Sequence, residues 1–191
     1  MNASAAEPAP TPAEIVRFWQ DAGQASWFGK DDAFDAQIRD RFEPAHLAAS
    51  RGELPHWSAT AEGALALLLL IDQFPRNIYR GSAHAFATDA LARSVARQAL
   101  DEGLDQQVEP LLRPFFYLPF EHSEGVEDQD RSVALAEALR DAEGDAATLR
   151  WAVLHRDIIV RFGRFPHRNR VLGRETTAEE QAFLDEGGFA G

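Results

Sequence analysis

Asp72, His122, Glu124 and His155 are the side chains of this sequence best suited to acid–base or metal chemistry. Arg76, Arg80, Arg161, Arg164 and Arg168 are those best suited to hold an anion. Asp72 follows Leu65, Leu68 and Leu69 at i+7, i+4 and i+3, so a carboxylate projects from a helix face that is otherwise hydrocarbon. Burying a lone carboxylate is costly, so it must have a partner or a job. Arg76, Arg80 or an arginine of residues 161–170 is the expected partner. Residues 161–174 hold five arginines and no acid, inside a chain of net charge -12. Guanidinium groups bind carboxylate and phosphate in bidentate fashion. The patch therefore reads either as an internal ion-pair network or as a pocket for an anionic ligand.

Each of these residues also has a plainer reading. Ser123 is a natural helix cap, and Glu124 would then face the positive end of the helix dipole. His155 lies on the apolar stripe Trp151, His155, Ile158, Phe162, where a hydrogen-bonded core histidine is the commoner outcome. Gln129, between Val126 and Val133, is another polar group on an inner face. His155-Arg156-Asp157 matches a kinase catalytic tripeptide only superficially, because no glycine-rich loop or DFG accompanies it. Asp157 and Arg161 make an i,i+4 surface pair. The sequence has no GxSxG, P-loop, GxGxxG, HExxH or EF-hand loop.

Phe74-Pro75-Arg76-Asn77 and Phe165-Pro166-His167-Arg168-Asn169 share the pattern F-P-(x)-R-N. The repetition reads as one helix-ending device used twice. Proline stops the helix, and an arginine lies near its last carbonyls. Either Arg76 and Arg168 only satisfy those carbonyls, or both guanidiniums converge on Asp72, Glu124 or an outside anion.

Composition narrows the classes. The 191 residues suit one domain, with 45% hydrophobic and 26% charged residues. The absence of cysteine excludes thiolate chemistry, Fe–S clusters and disulfides, and fits a reducing cytoplasm. The first residues lack the basic and apolar regions of a secretory signal. The longest apolar run, residues 64–71, is too short to cross a bilayer. A pI near 4.9 argues against nucleic acid and anionic membrane as partners.

The elements that must position these groups all read as helices. Residues 1–10 form an Ala/Pro-rich lead expected to be disordered, and residues 11–191 a single all-α domain. Thr11-Pro12-Ala13-Glu14 starts the first helix as a capping box. Trp27 and Phe28 fall in an aromatic loop. A second helix spans about 32–49, kinked or divided by Pro44. Ser58 or Thr60 caps a third helix, apolar on every side from Leu65 to Ile71 and therefore central. Pro75 breaks it. Thr88-Asp89 caps a fourth, Ser123 the helix to about Asp141, and Gly163 and Pro166 end the helix that follows Gly144-Asp145. Thr176/Glu179 and Thr177/Glu180 give the last helix a double capping signal. No window alternates as a half-buried strand would, so about eight helices with short links are expected.

Three long stretches, LLLLIDQFPRNIYRGSAHAFATD, FFYLPFEHSEGVEDQDRSVAL and HRDIIVRFGRFPHRNRVLGRETTAEEQAFL, resemble the bacterial domain-of-unknown-function family numbered 924. The resemblance spans about Ile15 to Phe183. Two positions depart from it: Glu121 stands where an apolar residue is usual, and Ile71 where leucine is. The resemblance implies antiparallel helix pairs in a tetratricopeptide-like right-handed superhelix. It implies as motif positions Asp72, Gln73, Phe74, Arg76, Asn77 and Arg80; Phe86 and Asp89; Tyr117, His122, Ser123, Glu124 and Gln129; and His155, Arg161, Phe162, Arg164, His167, Arg168 and Asn169. It implies no activity.

The leading expectation is a non-enzymatic binding module for a small anion or an acidic peptide. Its pocket is expected to be lined by Asp72, Gln73, Arg76, Asn77, Arg80, His122, Glu124, Gln129, His155, Arg161, Arg164, Arg168 and Asn169, with no metal and no cofactor. The alternative is an enzyme using His122, Glu124, Asp72 and His155. A plain scaffold would expose a groove of Trp27, Trp57 or Phe115.

Overall fold

A helix without a polar face has to be enclosed, and that requirement sets the architecture. The computed structural model describes residues 9–189; the expected disordered lead, residues 1–10, falls almost wholly outside them. Every regular element among the described residues is helical.

Helix α1 (Pro12–Ala22) begins with the Thr11–Glu14 capping box, the Thr11 amide donating to Glu14 Oε2 at 2.7 Å. Helix α2 (Gln24–Trp27) occupies the predicted aromatic loop, and Trp27 Nε1 donates to the Trp19 carbonyl at 2.6 Å. Helix α3 (Asp32–Ser50) is capped by Asp31 and runs unbroken through Pro44. The expected division does not occur. Pro44 and Asp40 lie on the exposed side, so water can pair the carbonyl that proline leaves free.

Thr60 caps α4 (Ala61–Leu68), its Oγ1 accepting from Gly63 N at 3.1 Å. The helix then widens into a π turn, Leu69–Gln73, and continues as α5 (Phe74–Ile78). Pro75 does not end the helix as predicted. The Phe74 amide reaches back five residues to the Leu69 carbonyl, and Pro75 donates nothing. Side chains serve the carbonyls of this stretch instead. His46 Nδ1 lies 2.8 Å from Leu70 O, Thr88 Oγ1 donates to Ile71 O at 2.5 Å, and Arg76 Nη1 donates to Asp72 O.

Helices α1, α6 (Asp89–Asp101) and α7 (Pro114–Glu121) pack around α4, and α3 packs on α5. Trp19, Phe42, Phe74, Phe115, Phe116 and Phe120 fill the shared core. Trp27, Trp57 and Phe115 are buried there, which removes the expected scaffold groove. Helix α8 (Val126–Glu143) covers α7. The short Gly144–Asp145 link folds α9 (Ala146–Phe162) back onto it as a helical hairpin. Gly163, in the left-handed conformation at φ 70°, closes α9 as predicted. A second small core of Ile158, Ile159 and Phe165 joins α9 to α10 (Ala178–Asp185) through Phe162 and Phe183. Thr177 and Glu180 realise one of the two predicted capping boxes.

Thr88 was expected to cap α6, but its side chain makes no cap bond and serves the π turn. Replacing it by the isosteric valine leaves Ile71 O buried without that donor. Thr88→Val is expected to cost about 1–3 kcal/mol, while Thr88→Ser keeps most of that. Urea unfolding of both variants, with unchanged m-values, checks this.

Candidate functional site

The π turn and the end of α7 meet at Asp72 and His122. Asp72 is 1% exposed. Its Oδ1 accepts from His122 Nδ1 at 2.8 Å, its Oδ2 accepts from Gln73 Nε2 at 2.5 Å, and Arg76 Nη1 lies 3.4 Å from Oδ1. Burial pushes the carboxyl up, but Arg76 and His122 outweigh it and hold the group at about 2. Burial and the nearby Arg76 hold His122 down at about 4, so its imidazole is neutral near pH 7. The pair is therefore a carboxylate orienting a neutral imidazole through Nδ1–H. His122 Nε2 makes no hydrogen bond among the described residues.

His122 is fixed by the corner between α7 and α8. Gln129 Nε2 donates to the carbonyls of Glu121 at 2.7 Å and Ser123 at 2.6 Å, and Arg168 Nη1 to that of His122 at 3.0 Å. These are the end carbonyls of α7, which the helix itself cannot pair. Ser123 does not cap α8, whose first residue is Val126. Its hydroxyl accepts from Gly125 N and donates to Asp128. Glu124 is not a dipole partner either. It accepts from the Phe165 amide at 2.8 Å and pairs with Arg174 at 2.7 Å, pinning residues 165–174 to this corner.

The two F-P-(x)-R-N segments converge, and the acid between them is Asp89. Arg76 Nη2 lies 3.1 Å from Asp89 Oδ1, and Arg168 Nη1 lies 3.6 Å from Asp89 Oδ2. Both guanidiniums also flank the Phe86 ring, at 5.8 and 4.5 Å from its centroid, and Arg168 stacks on Phe165 at 4.4 Å. Burial, then Arg76, lowers Arg168 to about 10, so it remains a cation at neutral pH. Its Nε–H is buried without a partner.

Below this pair, Glu121 is 4% exposed with Oε1 3.1 Å from His155 Nδ1, which also lies 2.9 Å from the Trp151 carbonyl. The contact has the geometry of an ion pair but not the charges. Burial and the Asp72 charge raise Glu121 to about 8, and burial lowers His155 to about 4, so both are neutral at pH 7. His167, held down to about 3 by burial and Arg168, completes the group.

The chain matches the family model described as bacterial protein of unknown function (DUF924) over residues 15–188. The chain belongs to this family. It is also similar to the solved structure titled "Structure of Protein of Unknown Function ATU0120 from Agrobacterium tumefaciens". The identity is 53% and the TM-score 0.88, covering 92% of this chain and 97% of that one. No curated protein matches. The family membership fixes the all-α fold and leaves the chemistry to be argued from the residues.

Of the predicted site residues, Asp72, Gln73, Arg76, His122 and Arg168 meet directly. Gln129 supports them through α7's carbonyls, and His155 reaches them through Glu121. The others have their own partners. Arg80 and Asn77 both bind Asp35 of α3, at 2.7 and 2.8 Å. Arg161 pairs with Glu179 at 3.1 Å rather than with Asp157, Arg164 with Glu180 at 2.6 Å, and Asn169 with Glu180 at 3.1 Å. Those contacts fasten α10. A concavity of ≈ 370 Å³ lies between Arg161, Arg164 and α10, and one of ≈ 430 Å³ between α1 and α3. Neither borders Asp72 or His122. Among the described residues, no three His, Asp or Glu side chains are grouped to hold a metal ion.

Sequence reasoning missed Asp89 as the bridging acid and Glu121 as a buried one. The second had a signal. Glu121 ends Phe115–Phe120, a run apolar on every side, so the residue that closes it is buried too.

These shifts set a pH profile. Glu121 titrates near 8 in the fold against an ordinary 4.5, so stability present below pH 4.5 is lost as pH rises through 8. His122, His155 and His167 titrate below their ordinary 6.5, so stability is lost as pH falls below 6.5. Asp72 adds a further loss as pH falls from 3.8 through about 2. The melting temperature should peak near pH 6.5 and decline on both sides. Glu121→Gln should flatten the arm between pH 6.5 and 8 and leave the acid arm in place, as calorimetry across pH would register.

Proposed function

We propose that this protein is a binding module for a small carboxylate or phosphate anion, held at the edge formed by Arg76, His122 and Arg168. The observation that carries the reading is His122 Nε2, without a hydrogen-bond partner among the described residues, on a residue with the Arg76 charge near its ring and Arg168 on its carbonyl. Arg76 is 20% exposed at its side chain and His122 13%, so both can be reached from solvent. The carboxylate of an acidic peptide offers the same chemistry. Arg80, Arg161 and Arg164 lie apart from this edge, on Asp35, Glu179 and Glu180. The cysteine-free sequence supports a cytoplasmic setting, and no described helix is long and apolar enough to cross a membrane. The stacking of α9 on α8 and α8 on α7 supports a tetratricopeptide-like array.

Charge balance adds a property to this reading. Arg76 and Arg168 offset Asp72 and Asp89, so the empty site is formally neutral. An arriving anion would leave the site negative. His122 can restore neutrality by taking a proton at Nε2, converting it from an acceptor to a donor aimed at the ligand. Binding is therefore coupled to proton uptake and tightens as pH falls.

One observation favours a second reading, acid–base catalysis: a buried carboxylate orients the imidazole through Nδ1, and no described residue takes its other nitrogen. A screen of hydrolysable anionic esters, with Asp72→Asn as the control, checks that reading.

Titration calorimetry against inorganic phosphate and small dicarboxylates between pH 5.5 and 8 tests the first. A ligand at about 100 times its Kd should stabilise the fold by about 2.7 kcal/mol. Affinity should rise up to tenfold for each unit of pH lowered, with one proton taken up. Arg76→Gln and His122→Asn should each weaken binding at least tenfold, and Arg164→Ala should leave it unchanged. No binding from the panel, or equal binding by Arg76→Gln, would overturn the proposal.

A further inference from the structure

Helix α9 is the outer member of the α8–α9 hairpin. Its inner face, with Ala152, His155, Ile158 and Ile159, is buried against α8 and residues 165–167. Its outer face is exposed among the described residues, and it is not wholly polar. Three of the nine exposed large hydrophobic side chains among the described residues lie on it: Val153 at 39%, Leu154 at 38% and Val160 at 58%, while Trp151 lies on the other side of the helix beside Phe189. Isolated surface hydrophobes carry no meaning, but a cluster on one helix does.

The charges on that face have the same origin of interest. Arg150 and Asp157 are both exposed. Among the described residues neither forms a salt bridge, although Arg156, Arg161 and Arg164 on the neighbouring positions all do. Arg150, Val153, Asp157 and Val160 recur at i, i+3, i+7 and i+10, which places them on one side of the helix. Leu154 flanks the Arg150–Asp157 column on one side, and Val153 and Val160 flank it on the other.

We propose that this face pairs with a second copy of the same chain. A two-fold axis near Val153 and Leu154 runs the two α9 helices antiparallel. It sets Arg150 opposite the partner's Asp157, and Asp157 opposite the partner's Arg150. Val153 and Leu154 then meet across the axis. An isologous contact requires that a surface be complementary to itself, and an arginine and an aspartate equidistant from the axis meet that condition. With Arg161 of the same face paired to Glu179, the face is also locally neutral on a chain of net charge -12, so it is a place where two such chains can approach without repulsion. A polar partner would gain nothing from the valines, and a strongly charged one would leave Arg150 or Asp157 opposed by its like.

A single helix pair is a small interface, so the dimer is a weak, concentration-dependent one. Sedimentation velocity on the full chain, from roughly 5 to 300 µM, spans the range such an interface requires. The wild-type protein should shift from monomer to dimer across that range. Asp157→Arg should weaken the dimer at least tenfold, because it sets arginine against arginine twice. The double variant Arg150→Asp/Asp157→Arg should restore it to within about threefold, since reversing both charges recreates the pairs. Val153→Asp should abolish it, and an unchanged melting temperature of the monomer shows that the fold is kept. A wild-type chain that stays monomeric throughout, or a dimer in which the double charge reversal is no better than Asp157→Arg alone, would overturn the proposal.

Discussion

An ionised carboxylate lies in the middle of a helix that has no polar face, and the surrounding structure is arranged around that fact. Asp72 is enclosed because α4 and the π turn are enclosed, with every residue from Gly63 to Pro75 buried. A carboxylate in such a place must be matched by cations and hydrogen-bond donors or give up its charge. Three groups match it from three parts of the chain: Gln73 beside it, Arg76 one turn on, and His122 from the end of α7. None of the three would have its present position without the others. The π turn brings Gln73 and Arg76 round to the acid. The Gln129 and Arg168 contacts with α7's last carbonyls hold His122 where its Nδ1 can reach.

Proline explains why the turn is wide rather than broken. At Pro75 a regular helix would lose one donor and crowd the preceding turn. Opening the turn relieves the crowding but leaves carbonyls to be satisfied in a place no water reaches. Those of Leu70, Ile71 and Asp72 are served by His46, Thr88 and Arg76, from α3, the start of α6 and α5. Two of these three are tertiary contacts, and they lock α3 and the start of α6 to the central helix. The second F-P motif does not face this demand. Pro166 comes after Gly163 has already closed α9, and its segment is free to fold as a short turn that carries Arg168 inward. One sequence pattern therefore gives two backbone outcomes, and the arginines still arrive at the same aspartate.

Much of this was legible in the sequence, and what was not had a physical cause. The helical periods, the capping boxes at Thr11 and Thr177, the Gly163 stop and the buried acid in an apolar helix depend on neighbours within one or two turns. Sequence spacing reports those directly. The failures at Pro44 and Pro75 came from treating proline as a terminator, when the fate of the freed carbonyl depends on whether water or a distant side chain can reach it. The pairing of arginines failed for a similar reason. Arg80, Arg161 and Arg164 are as cationic as Arg76 and Arg168, and nothing in the sequence distinguishes those claimed by Asp35, Glu179 and Glu180. Asp89 looked like a helix cap and Thr88 like its companion. Both are at the right place to cap α6, yet the buried carbonyl and the two guanidiniums nearby make a stronger demand on their side chains.

The charge state of Glu121 follows from the same bookkeeping. Asp72 and Asp89 stand against Arg76 and Arg168 in one network, and Glu124 against Arg174 beside it, three of each sign. That network closes at zero with all three histidines neutral. A fourth carboxylate would be an uncompensated charge on a side chain only 4% exposed. Protonating a histidine to balance it would mean burying two ions in place of none, and the distance of 3.1 Å between Glu121 and His155 does not repay both desolvation costs. Keeping the proton on the carboxyl is the less costly solution, and it explains how an acid can close the buried apolar run Phe115–Phe120. Neutral Glu121 behaves as a polar packing group, and the ionic network above it stays balanced only for as long as it does.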